Sequence, residues 1–317
     1  MLAGSSLITA LKEKYPKADI TFICSPQNKD ALTKNNKLHK VFVFDKRRLS
    51  NPGYFALLWK VLKAPYDVCI APSVVSLSFT SNFLAALSNA TIKIGPASLD
   101  GVINPYASFF HCPVHLDWRH APDTNVAKRI LDIVKPFDIT TTDYHPIISF
   151  DDGDAAVAQS FLDDSSVLPS QMVIGLHVGA GKLPNRWPIE NFIELIHKLN
   201  NNHAPAFILT GSDADISLIN NVLAKTPHVR IFAYINKSIP QVAALISRLD
   251  LFITNDTGIL HVAASTETPQ ISLFGPTNPH VWAPLGDLKI YIKKSDSIND
   301  ISVDDVLAVS QQLLLHQ

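Results

Sequence analysis

Short apolar runs alternating with helical stretches dominate this chain, and that alternation admits few folds. In the first half, residues 18–24, 41–44, 66–71 and 91–94 read as strands. Helices are expected over 4–14, 54–63 and 77–87, with a Lys-rich helical stretch after residue 24. The second half repeats the pattern. Its strands are expected at 172–178, 206–210, 229–232, 251–254, 271–274 and 288–292. Its helices are expected at 155–162, 189–199, 240–249 and 303–315, with another opening at Gly211-Ser212-Asp213. A helix between successive strands is the connection a parallel sheet requires, so the expected class is α/β with parallel sheets. In such sheets ligands bind at the carboxyl ends of the strands.

A chain of 317 residues is long enough for two domains. The polar segment 140–144 and the cluster Asp151-Asp152-Gly153-Asp154 mark a boundary, giving domains over 1–150 and 151–317. The Asp cluster lacks the spacing of a calcium loop and suits a helix N-cap. Residues 101–120 look irregular, and a helix is expected at 124–134. His111, His115 and His120 lie in the irregular stretch without the ligand spacing of zinc, so no metal is expected there.

Apolar residues make up 47% of the chain and charged ones 17%, which supports a sizeable core and argues against disorder. Charge is uneven. Residues 1–65 hold 12 Lys/Arg against 4 Asp/Glu, densest at Lys34, Lys37, Lys40, Lys46, Arg47 and Arg48. Such a face is either simply solvated or drawn to an anionic partner: acidic lipid, phosphorylated glycolipid or nucleic acid. Nucleic acid is set aside, because few aromatics interleave the basic residues and no nucleic-acid motif occurs. Cys24, Cys69 and Cys112 are scattered and read as reduced core thiols of a cytosolic protein. No signal peptide is recognisable, and no apolar run approaches the ~20 residues that cross a bilayer.

The most informative stretch is 251–284. An apolar strand ends in Asn255-Asp256-Thr257-Gly258, a helix is expected over 259–264, and a second strand closes in Gly275-Pro276. A strand–turn–helix with Gly at the turn leaves free backbone N–H groups at a helix N-terminus, where a phosphate or diphosphate is attracted. Thr257 and His261 share one helix face. Taken singly, Asp256 serves as well as an N-cap and His261 as a packed histidine; together the arrangement favours a ligand site. Other motifs fail. Gly181-Lys182 is not a P-loop, because Leu183 stands where Ser or Thr belongs. No G-x-G-x-x-G or G-x-S-x-G occurs, so a dinucleotide oxidoreductase and a serine hydrolase are unsupported. Asp213-Ala214-Asp215 has the D-x-D form of metal-dependent sugar transferases, but at a helix start acidic residues are favoured anyway.

These residues resemble a family. Asp256-Thr257-Gly258 with His261, Ala263-Ala264 and Leu273-Phe274-Gly275-Pro276-Thr277 resemble the signature of glycosyltransferase family 9, the ADP-heptose:lipopolysaccharide heptosyltransferases. His177-Val178-Gly179-Ala180 with Arg186-Trp187-Pro188 is similar to that family's second motif, and Ala10-Leu11-Lys12 with Tyr15-Pro16 to its first helix. The resemblance implies a GT-B fold: two Rossmann-like domains facing one cleft, acceptor on the first and nucleotide sugar on the second. It implies inverting transfer, with neither metal nor cofactor, from an ADP-heptose-like donor to the lipopolysaccharide inner core. The acceptor would be an anionic, lipid A/Kdo-like glycolipid. The protein would be cytoplasmic and peripheral at the inner face of the cytoplasmic membrane. Without a metal, the departing diphosphate must be neutralised by backbone N–H groups, a helix dipole and cations. The donor set is then Lys182, Asn185, Arg186, Asp213, Asp256, Thr257, Gly258 and His261. Thr257 and Gly258 supply N–H groups, and Lys182 and Arg186 supply charge. Asp256 suits sugar hydroxyls, and Asp213 the nucleoside or sugar.

Two departures stand out. The family usually carries Lys where Asn185 stands, so Lys182 is expected to substitute or phosphate affinity to fall. The family also begins with a strand and a Gly-Asp turn, whose Asp is the presumed general base. Alignment on Ala10-Leu11-Lys12 places that Asp just before Met1, so the first strand and the base are expected to be missing. A non-catalytic or inactive truncated homologue that binds a nucleotide sugar or glycolipid is therefore the alternative. A GT-B sugar epimerase is a third reading, for which too few acidic and histidine groups can be placed around a sugar.

Overall fold

The computed structural model describes residues 4–315. The chain divides into two compact units, Met1–Tyr144 and His145–Gln317, so the division falls between 144 and 145 against the expected 150 and 151.

The first unit opens with α1 (Gly4–Lys14), β1 (Thr21–Cys24), β2 (Lys40–Val43), α2 (Pro52–Leu62) and β3 (Tyr66–Ile70). It continues with α3 (Phe79–Leu87), β4 (Ala90–Leu99), β5 (Val102–Ile103), β6 (Cys112–Leu116) and α4 (Val126–Arg129). Local chemistry starts the helices. The Asn51 side chain accepts from the Tyr54 N–H at the head of α2, and Ser78 from the Ser81 N–H at the head of α3. Strands β1 and β2 pair in parallel as one two-stranded sheet. A second sheet holds β3, β4, β5 and β6, with β4 parallel to β3 and β6 and antiparallel to β5. Among the described residues β1 pairs only with β2, and β3 only with β4.

Three expectations change here. The Lys-rich stretch after residue 24 is a chain of turns with one 3-10 segment, Pro26–Asn28, because only Ala31 and Leu32 give it an apolar side to bury. The irregular stretch 101–120 contains β5 and β6. Positive φ at Asp100 and Gly101 turns β4 back into β5, as a two-residue hairpin requires. Among the described residues β6 pairs on one edge only, which tolerates Pro113, and Pro with His115 hid it from the alternation. The helix expected at 124–134 is the four-residue α4 followed by 3-10 turns, which bring the closely spaced Ile130, Leu131, Ile133 and Val134 inward. His111 and His115 are spent on structure. His111 Nδ1 accepts from the Lys93 N–H at 3.0 Å, and His115 Nδ1 lies 2.9 Å from Ser98 Oγ. Among the described residues no group of three or more His, Cys, Asp or Glu could hold a metal ion.

The second unit runs α5 (Asp152–Asp164), β7 (Val173–His177), α6 (Ile189–His203), β8 (Ala206–Gly211), α7 (Ile216–Lys225) and β9 (Ile231–Ile235). Then follow α8 (Ile239–Ile246), β10 (Leu251–Asn255), α9 (Ile259–Ala263), β11 (Gln270–Leu273), α10 (Pro279–Trp282), β12 (Lys289–Ile292) and α11 (Val303–Leu315). Asp151 caps α5 in a capping box with Asp154, which is what the Asp cluster does. The strands form one parallel sheet of order β12-β11-β10-β7-β8-β9. Its core is closed on both faces, as parallel sheets require: Ile174, Leu176, Leu209, Ile253 and Ile271 are unexposed on one face, and Ile208 and Phe252 on the other. The three cysteines are free thiols. No described helix is long and apolar enough to cross a membrane.

Candidate active site

The strand order fixes where a ligand can enter the second unit. From β7 the chain winds outward through β8 and β9, then returns to β10 on the other side of β7. β7 and β10 are therefore neighbours whose connections leave in opposite directions, the switch point at which a crevice opens beyond the strand ends. The loop after β7 is 178–182, and the turn after β10 is 256–258.

One buried side chain joins the two. Asn255 closes β10 with no exposure. Its Nδ2 donates to the Val178 and Gly179 carbonyls at 3.1 and 3.0 Å, and its Oδ1 accepts from the Trp187 N–H at 3.0 Å. Trp187 is buried, donates Nε1 to the Ile301 carbonyl at 2.8 Å, and packs edge-on to Phe192. These bonds set the path of residues 182–188 across the strand ends. Gly275 is needed for the same approach, since a Cβ there would lie 2.9 Å from the Pro184 carbonyl oxygen.

The turn after β10 presents donors. The Asp256 N–H bonds the Leu273 carbonyl, while the Leu260 and His261 N–H groups already bond Thr257 and Gly258. The N–H groups of Thr257, Gly258 and Ile259 have no partner among the described residues. A Cβ on Gly258 would meet open space. The far end of α9 is clamped: Lys289 Nζ donates to the Ala263, Thr266 and Thr268 carbonyls at 3.2, 2.7 and 2.6 Å.

Charged groups surround this turn. The Asp256 carboxylate accepts from Asn185 Nδ2 at 2.9 Å. Burial pushes its pKa up, while a hydrogen bond with Thr277 and the charge of Lys182 pull it down. Lys182 is exposed, and its ammonium makes no hydrogen bond or ion pair among the described residues. Arg186 Nη2 donates to the Ala180 carbonyl at 3.0 Å, and its buried Nε is without a partner. Burial lowers the His261 pKa to about 4, so the imidazole is neutral near pH 7 and can donate one hydrogen bond.

The structure thus brings Lys182, Asn185, Arg186, Asp256, Thr257, Gly258 and His261 to adjoining loops at one sheet end. Asp213 takes another direction, accepting from Asn236 Nδ2 at 2.6 Å. Its neighbour Asp215 turns inward. It accepts from the Ser212 N–H and hydroxyl, and a Cβ on Gly179 would collide with its carboxylate. Burial lowers the His177 pKa, and Asp215 opposes that shift. Asp215, Asn255 and Thr277 stand in the sequence motifs but outside the expected donor set; for Asn255 the signal was a polar residue ending an apolar strand. The expected base ahead of Met1 lies outside the described residues.

A family description, glycosyltransferase family 9 (heptosyltransferase), matches residues 55–303. Lipopolysaccharide heptosyltransferase 3 of Escherichia coli is 25% identical over 301 residues, covering 90% of this chain and 82% of the relative. The structure of the glycosyl transferase family 9 from Veillonella parvula DSM 2008 superposes with a TM-score of 0.86 at 20% identity, over 100% of this chain and 94% of that one. An E. coli heptosyltransferase, WaaC, solved with ADP-2-deoxy-2-fluoro heptose, gives 0.73 at 17% identity, over 98% and 95%. The fold class of these structures is GT-B, and this chain shares it.

Proposed function

This chain belongs to glycosyltransferase family 9, the heptosyltransferases, and on that premise we propose that it moves a heptose from an ADP-heptose-like donor to the lipopolysaccharide inner core. The observation that carries the reading is the run of three unpartnered N–H groups at Thr257, Gly258 and Ile259, with the free charge of Lys182 nearby. Such donors suit a diphosphate whose negative charge grows as the bond to the sugar breaks.

The proposed step is inverting and metal-independent. The acceptor hydroxyl attacks the anomeric carbon from the face opposite the diphosphate and gives up its proton to a general base or to water, the bond from that carbon to the diphosphate oxygen breaks, and ADP leaves. Lys182 and Arg186 balance the charge that a metal would otherwise carry. Asp256 accepts from sugar hydroxyls, oriented by Asn185, and neutral His261 donates to one. Asp215 or Asp213 takes the ribose side. The acceptor is assigned to the basic first unit. There a cavity of about 480 Å³ at the carboxyl ends of β1 and β2 is lined by Ser25, Lys46, Arg47, Ser78 and Ser81. A phosphorylated glycolipid in a membrane suits that charge, and on this reading the protein works as a peripheral enzyme at the cytoplasmic face of the inner membrane.

A second reading, nucleotide-sugar binding without transfer, is favoured by Asn185: it carries no charge and is engaged with Asp256. One experiment separates the readings. ADP binding is measured by calorimetry, and transfer from ADP-heptose to a heptose-free core acceptor by mass spectrometry. Binding with transfer supports the main reading, binding without transfer the second. A chain that does not bind ADP sinks both.

A further inference from the structure

Helix α2 is apolar on both sides. Tyr54, Leu58, Val61 and Leu62 face the core. The other side leaves Phe55, Leu57 and Trp59 at 48, 59 and 44% exposure. Phe55 and Trp59 are one turn apart and stack, with centroids 6.1 Å apart and planes at 18°. Nothing among the described residues covers this side. Cations border it. Lys60 is exposed on the same helix, and Lys63 lies 4.7 Å over the Trp59 ring. Lys46, Arg47 and Arg48 form the turn just before it. No acidic residue occurs between 46 and 66.

We propose that this outward face of α2 is a membrane-docking surface that lies in the headgroup region of an anionic bilayer. An exposed aromatic and aliphatic stripe bordered by lysines and arginines, with the one acid beside that turn, Asp45, already paired with Arg47, is the composition of a helix that lies in an interface. Aromatic rings favour that depth, and lysine stems reach from it to lipid phosphates. At 11 residues the helix is far too short to span. A second copy of this chain fits less well, because a two-fold contact would set the same cationic border against itself. The inference rests on the reading that the first unit works on a membrane-held acceptor, and it names the surface that brings it there.

The test is flotation of the full chain with vesicles that contain no acceptor: phosphatidylglycerol mixed with phosphatidylethanolamine, against phosphatidylcholine alone. Binding is expected to the anionic vesicles only, and to weaken as salt rises from about 0.1 to 1 M. The variants Phe55→Ser/Trp59→Ser and Lys60→Glu should each lower binding about tenfold or more. They should leave the melting temperature and transfer to a water-soluble core oligosaccharide unchanged, and Ile216→Ser on the second unit should change nothing. Absence of flotation would overturn the docking surface and leave the transfer reading standing. So would equal binding to both vesicle types, or a concentration-dependent dimer abolished by Phe55→Ser/Trp59→Ser. Loss of transfer to the soluble acceptor in those variants would likewise overturn it, making the face part of the catalytic unit.

Discussion

Two pairs of facing residues show how differently the units are built. Val68 lies beside Ile92 across β3 and β4, and Ile253 beside Ile271 across β10 and β11. Both are β-branched pairs in parallel strands. Val68 and Ile92 are 44 and 42% exposed, whereas Ile253 and Ile271 are fully buried. The second unit has a continuous six-stranded sheet with core on both faces; the first has separate sheets of two and four strands. Burial in a parallel sheet therefore depends on continuity across it more than on the residues of any one strand. The proposed donor site stands on the closed unit, where fixed loops hold donors in place. The proposed acceptor cavity and the docking helix stand on the open one.

Five measurements bear on that contrast. Ile253→Ala should destabilise by about 2–5 kcal/mol, because a closed core cannot collapse into the cavity; a urea midpoint unchanged from the parent would break the contrast. Asn255→Leu should cost about 2–4 kcal/mol by leaving two carbonyls and one N–H without partners, and should abolish ADP binding by calorimetry.

His261 gives a pH signature. Its folded pKa, about 4, lies below the unfolded value, so between the two the unfolded chain binds more protons and stability is lost as pH falls. The loss at pH 5 should be about 2 kcal/mol relative to pH 7. In His261→Gln that part of the slope should vanish, read from urea midpoints at both pH values.

Lys182→Ala should weaken ADP about tenfold, or about 1.4 kcal/mol, with no change in melting temperature. A comparable loss of stability would mean that the side chain is structural. Smallest of all, Ile92→Ala should cost under about 1 kcal/mol, since little area leaves water on that half-exposed strand. A cost matching that of Ile253→Ala would mean the open face is covered in solution.

Much of this was legible in the chain because the relevant forces are local. Apolar spacing set most strands and helices within a few residues, and Asn51, Ser78 and Asp151 cap helices as short polar residues do. The turn Asp256-Thr257-Gly258 advertised free N–H groups at a helix start. β6 was hidden by Pro113 and His115, and the Lys-rich stretch after residue 24 had helix-forming residues without an apolar face. Asn255 reads in sequence as one more turn residue. Its three bonds reach 68 to 77 residues away, and no local pattern encodes them.

The sequence by itself determined the α/β class, the two-part organisation, the basic character of the first part and the turn that presents free backbone N–H groups. Each follows from propensity, periodicity or charge, which act between near neighbours. Tertiary structure alone decided that β7 and β10 are adjacent and that Asn185 is engaged with Asp256. It alone decided that Asp215 rather than Asp213 meets the loop after β7, and that the outward face of α2 is uncovered. Those are pairings between distant segments, selected by which surfaces exclude water together once the sheets form.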